Sequence, residues 1–131
     1  MIKYYLIIYF MLFPVPTFAH SPIYSTSPKD GSSLSQSPRE LTIVFKSPVQ
    51  LVKMDVRKVI SNNSRSFLEE LFNNAEGQKV TVESDFLEKK SRHHLINLPP
   101  LSIGIYNVEW RAISQDGHII KGRFTFSLLD K

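Results

Sequence analysis

The 131-residue chain has no cysteine. In an exported protein that excludes disulfides, so packing must hold the fold. It also removes thiolate, the soft ligand that zinc clusters and copper(I) sites prefer. A dominant charge of one sign is missing too: 16 Lys and Arg stand against 12 Asp and Glu. A surplus that small and that scattered does not fit nucleic-acid binding, which needs a concentrated basic face. The one strongly apolar run, Tyr4 to Phe13, falls well short of the roughly 20 residues that span a membrane. Repeats, long helical patterns, a phosphate-cradling glycine loop and an evident nucleophile–base set are all absent.

What is present begins with Lys3, the apolar run, Pro14, Pro16 and the small-residue exit Thr17-Phe18-Ala19. These are the parts of a cleaved secretory signal. Residues 1–19 are therefore expected to be the signal peptide and residues 20–131 the mature domain, with an uncleaved anchor as the alternative. Losing Lys3 from the 16 basic residues, against 12 acidic ones, leaves the mature chain at +3.

Beyond the signal the pattern is that of short strands between turns. Ile23–Ser27 forms a first strand, with Ile23 and Tyr24 as packing candidates. Ser27-Pro28-Lys29-Asp30-Gly31 is turn chemistry, and Leu34 can plug the core beyond it. Leu41–Phe45 alternates cleanly, and Ser47-Pro48-Val49 ends or bends that strand. Val52, Met54 and Val56 alternate with Lys53, Asp55 and Arg57, which predicts one buried and one wet face. Ser66–Asn74 has the spacing of a short helix. Residues 79–83 and 94–98 are short strands joined by a charged, solvated loop over 85–92. His93 and His94 point to opposite sides of an extended chain, and both are expected at the surface or an edge. In the strand Ile105–Ile113, Tyr106, Val108, Trp110 and Ala112 share the core face. Glu109 and Arg111 face away as a solvated pair. Residues 118–129 return, with Phe124, Phe126 and Leu128 aligned. About seven strands with frequent turns predict an all-β fold, an immunoglobulin-like or Greek-key β-sandwich or barrel.

Asp116-Gly117-His118 separates the last two strands. Taken alone it is a plain hairpin turn, because glycine permits the positive φ that tight turns favour. His20 changes its meaning. Cleavage after Ala19 would place His20 at a free terminus, where its α-amine and a ring nitrogen can chelate one metal together. Pro22 has no N–H, so backbone amides beyond Ser21 cannot wrap onward. An N-terminal His, a carboxylate and a second His form a nitrogen–oxygen set that suits copper(II). Two other readings compete with a copper(II) binder: an N-terminal-His copper oxygenase, which needs an open coordination position, and a non-metal β-sandwich interaction module.

Three blocks of sequence resemble the CopC-type periplasmic copper-binding proteins. They are His20 with Ser27–Gly31; Leu41–Val49, ending Phe45-Lys46-Ser47-Pro48-Val49; and Leu98–Leu101 through Gly104-Ile105-Tyr106, Trp110-Arg111, Ser114–His118, Gly122 and Phe124-Thr125-Phe126. The resemblance implies an immunoglobulin-like β-sandwich or barrel and a periplasmic monomer without enzymatic activity. It implies one copper(II) ion bound by the amine and imidazole of His20, by Asp116 and by His118. The partners it implies are an inner-membrane copper-transport protein and other copper-resistance components. It also puts Trp110 near the metal. Ser21 stands where the family often has Ala, and Lys46-Ser47 where it usually has an acidic residue. Some members carry a methionine-rich copper(I) loop. Here the mature chain keeps only Met54, which alternation puts in the core, so no copper(I) site is expected.

Overall fold

The computed structural model describes residues 22–59, 77–83, 85, 87 and 89–130. These residues form seven β-strands: β1 (Ile23–Ser27), β2 (Ser32–Leu34), β3 (Glu40–Lys58), β4 (Gln78–Val80), β5 (Lys90–Asn97), β6 (Gly104–Ile113) and β7 (Ile119–Leu128). None of the described residues is helical. The helical turn expected at 66–74 lies outside them, as does His20.

At 19 residues, β3 is several times longer than the usual strand of about 5–6. Its length follows from having two partners on each edge. Thr42–Val44 pair with both β1 and β5, and Gln50 pairs with both β5 and β6. β1 and β6 therefore lie end to end along one edge of β3, while β5 and β4 follow one another along the other. β6 pairs antiparallel with β7 along its whole length, and β7 carries the short parallel β2. The connected sheet curls around one core, which is the expected all-β architecture.

The two strands expected at Leu41–Phe45 and from Val52 onward are one strand, bent where Ser47-Pro48 stands. Between Val44↔His93 and Val49↔Ser91 the register shifts, so four residues of β3 face a single residue of β5, Arg92. Pro48 occupies this unpaired stretch, where its missing N–H costs no ladder hydrogen bond. The carbonyls freed by the bend are claimed by β5 side chains. Arg92 Nε donates to Phe45 O at 3.2 Å, and His94 Nε2 lies 3.2 Å from Val49 O and 2.9 Å from Ser91 O.

Leu41, Ile43 and Phe45 from β3, Ile96 from β5, Tyr106, Val108, Trp110 and Ala112 from β6, and Phe124, Phe126 and Leu128 from β7 build the core. Tyr106 stacks on Phe126 with centroids 5.3 Å apart, and Phe45 meets Trp110 edge-on at 5.1 Å. Gly122 is required here: a Cβ on it would come within 2.5 Å of the Trp110 indole.

Several expectations need correction. Val52 is 37% exposed, because the β3–β6 register skips it between Leu51↔Ala112 and Lys53↔Arg111. The bulge resets the alternation, so Leu51, Met54 and Val56 are buried together. Asp55 is buried rather than wet, held by Lys53 at 3.0 Å and Lys79 at 3.4 Å. Tyr24 is exposed. Lys90–Arg92 belong to β5, not to a loop. Glu109 and Arg111 form no ion pair with each other among the described residues. His94 is only 2% exposed and sits edge-on to Phe45 at 5.7 Å, whereas His93 is exposed.

Burial pushes the His94 pKa below its ordinary 6.5. Below that value the unfolded chain holds a proton on this ring that the folded chain resists. The contribution of His94 to stability is therefore constant above about pH 6.5 and falls on acidification through that point. His94→Ala should cost about 2–3 kcal/mol at pH 7.5, because it strips two carbonyls of their donor. It should also flatten the stability slope just below about pH 6.5. Urea unfolding across that range checks both outcomes.

Candidate metal centre

The β6–β7 connection is built from backbone hydrogen bonds. Ser114 N donates to His118 O at 2.9 Å and Gly117 N donates to Ser114 O at 3.0 Å. The result is a three-residue hairpin loop, 115–117, with Gly117 at φ +86°, the left-handed position such loops reserve for glycine. Nothing lies within 4 Å of where a Cβ would sit. Conformation, not space, requires glycine there.

That turn brings the two predicted hairpin ligands together. His118 Nδ1 lies 2.8 Å from Asp116 Oδ2. Asp116 Oδ1 accepts from His118 N at 3.2 Å and from the Ser114 hydroxyl, which also lies 3.0 Å from His118 O. They meet across the left-handed glycine. These hydrogen bonds, Ser114 first, hold the Asp116 carboxyl well below its ordinary range, at about 2. At neutral pH the carboxylate is acceptor-only, so Nδ1 of His118 carries the hydrogen between them. With Nδ1 engaged, Nε2 faces away from the carboxylate, so Asp116 fixes the tautomer and angle of His118, and both side chains can ligate one ion only when that hydrogen bond gives way. The two side chains are 65% and 83% exposed, so the pair is open to solvent at the tip.

The hairpin supplies two donors. No group of three or more metal-ligating side chains gathers among the described residues. The third candidate, His20, lies outside them, but the fold fixes where the chain arrives from that side. Lys46 N donates to Pro22 O at 2.9 Å, just beyond Ile23↔Phe45. The end of β6 meets β3 at Gln50↔Ile113 on the same edge. The beginning of β1 and the end of β6 thus face each other across Lys46–Gln50, a stretch that spans at most about 13 Å.

Sequence reasoning missed His94 as the residue that secures this bend. The signal was available: His94 is in phase with Ile96 and Leu98, both buried.

Ser114→Ala should raise the Asp116 pKa from about 2 toward the ordinary carboxylate value of 3.8, since the Ser114 hydrogen bond is the largest contribution lowering it. A carboxyl 13C NMR titration of Asp116 reads this directly, and an unmoved midpoint would refute the assignment.

A family model described as the CopC domain matches residues 23–129. The copper transport protein CutJ of Bacillus subtilis is 30% identical over 130 residues, covering 94% of this chain. That alignment takes in 20% of CutJ, so the chain spans about one fifth of its relative's length. Among solved structures, the copper resistance protein PcoC from Escherichia coli aligns at a TM-score of 0.59 and 22% identity, covering 82% of this chain and 98% of PcoC. CopC from Methylosinus trichosporium OB3b aligns at 0.58 and 23%, covering 83% and 93%. These two share the curled all-β fold described above, and the family-model match over residues 23–129 places this chain in the CopC family.

Proposed function

We propose that this chain is a copper-binding protein of the copper-resistance type, which carries or sequesters one copper(II) ion in the periplasm. The ligands are the α-amine and imidazole of His20, freed by cleavage after Ala19, together with Asp116 and His118. The observation that carries the reading is the Asp116–His118 pair at 2.8 Å, on a loop that faces the incoming chain end across the bend of β3. From Pro22, His20 has a reach of roughly 7 Å. Copper(II) favours four such nitrogen and oxygen donors in a tetragonal array. The amine must lose its proton to bind, so affinity rises with pH through about 7.7–8.0.

The donor set supports binding rather than turnover. Four protein donors leave little room for a substrate, which disfavours the oxygenase reading. PcoC is described as a methionine-rich copper resistance protein. Here Met54, the one methionine among the described residues, is 6% exposed within the core, which supports the expectation of no copper(I) site. Delivery would be to an inner-membrane copper-transport protein or to other copper-resistance components.

Copper(II) titration of the exported protein, with mass spectrometry to fix its first residue, tests this reading. A single d–d band and a tetragonal electron paramagnetic resonance spectrum are expected. Quenching of Trp110 should accompany them, since that residue lies about 10 Å along β6 from Ile113. One extra residue ahead of His20 should weaken binding by more than about hundredfold, beyond what outer-shell changes alone produce. So should His118→Ala. Unchanged affinity in the extended protein would overturn the assignment.

A further inference from the structure

Two rows of charge cross the outward face of β3, β6 and β7. The register places Lys53, Arg111 and Lys121 directly beside one another, and beyond them Asp55, Glu109 and Arg123. Together they line a groove of about 390 Å³, with Trp110 and Gly122 between the rows. Like charges directly opposite each other on neighbouring strands destabilise a sheet. Three adjacent cations are therefore poorly explained as a device of the fold. Lys53 is partly compensated by Asp55 at 3.0 Å. Arg111 and Lys121 are both exposed and have no carboxylate partner among the described residues.

The geometry points to a docking groove for an acidic segment of a protein partner. Charge complementarity selects the sign: four cations line the groove against two carboxylates. The mixture selects the class. A bilayer surface is drawn to clusters of like cations without carboxylates among them. A peptide can set its own carboxylates on Arg111 and Lys121 while avoiding Glu109. Arg111 offers a planar fork suited to a carboxylate. The position gives the groove a use. Arg111↔Lys121 lies two residue pairs from Ile113↔Ile119, where the hairpin begins. That is about 7 Å along the strands. An acidic segment seated there brings its owner beside Asp116 and His118. That last step rests on the copper reading, whereas the docking itself does not.

The test titrates the metal-free, isotope-labelled protein with a capped Glu-rich octapeptide and follows the amide NMR signals. Shifts are expected at residues 109–111 and 121–123, weakening several-fold as salt is raised from roughly 50 to 200 mM. R111E/K121E should lose at least tenfold in apparent affinity, with R111Q/K121Q in between, while copper(II) binding stays unchanged in both. Should the charge-reversed protein misfold by circular dichroism, the glutamine pair decides. Shifts elsewhere, or an affinity indifferent to both variants, would overturn the proposal. So would inorganic phosphate matching the peptide, which reduces the groove to an anion site. Phosphatidylglycerol vesicles binding this face while the peptide does not would assign it to lipid. A wild-type protein that binds the peptide but shows no copper spectrum would sink the copper reading and leave the groove standing.

Discussion

The bend of β3 is the constraint on which the rest depends. A strand of 19 residues cannot stay flat beside four different neighbours, and at Phe45–Pro48 it stops pairing with β5 and turns. Buried backbone groups must find partners. Here Phe45 O is met by Arg92 and Val49 O by His94. The His94 ring is packed against Phe45, which in turn meets Trp110. The turn in the strand is thus bolted to the aromatic core. It also makes the gap across which the start of β1 and the end of β6 face one another. Neither chain segment would approach the other if β3 ran straight through with a single continuous partner on that edge.

A histidine in this position links the fold to proton activity. As a neutral donor to two carbonyls His94 fits, and as a cation it would sit in an apolar setting beside a phenyl edge. Its lowered pKa follows from that burial. The histidine at the hairpin is governed differently. His118 is solvated, and its hydrogen-bond partner is a carboxylate held ionised to about pH 2. Two histidines of one domain therefore serve opposite ends, one closed off and the other presented.

Much of this was legible in the residues. Alternation identified the core faces of β6 and β7, because two-sided strands with one wet face repeat every second residue. Asp116-Gly117-His118 announced its hairpin through glycine. What misled was phase. Val52 lies at a bulge, and a bulge adds one residue without leaving a mark in composition, so Val52 fell out of phase with Met54 and Val56, which are buried as expected. Asp55 was assigned to the wet face on charge, yet two lysines from different strands cover it. Lys79 could not have been foreseen without knowing that β4 lies along β3. His94 was set aside because a polar pair in a polar stretch suggests a surface, although Ile96 and Leu98 already fixed its side of the strand. The arrangement of Lys53, Arg111 and Lys121 was invisible for the same reason as Lys79. A cross-strand row exists only once register is known.

The exposure of the Asp116–His118 pair bears on the copper chemistry proposed for it. A catalytic metal works best in a water-excluded cavity, where fixed dipoles and charges act at low dielectric. The tip of a solvated hairpin offers neither. The proposed site would offer rapid access instead, since an ion held by exposed donors could be handed to incoming ligands one bond at a time. The donors of the proposed site are nitrogen and oxygen, and the sulfur of Met54, the one methionine among the described residues, lies in the core. With the proposed donors, a transfer that reduced the ion would draw on softer ligands from the acceptor, because thiolate and thioether are the donors that select copper(I). On the proposed ligand set the oxidised ion is the favoured state, and release on reduction would follow from the same donor chemistry.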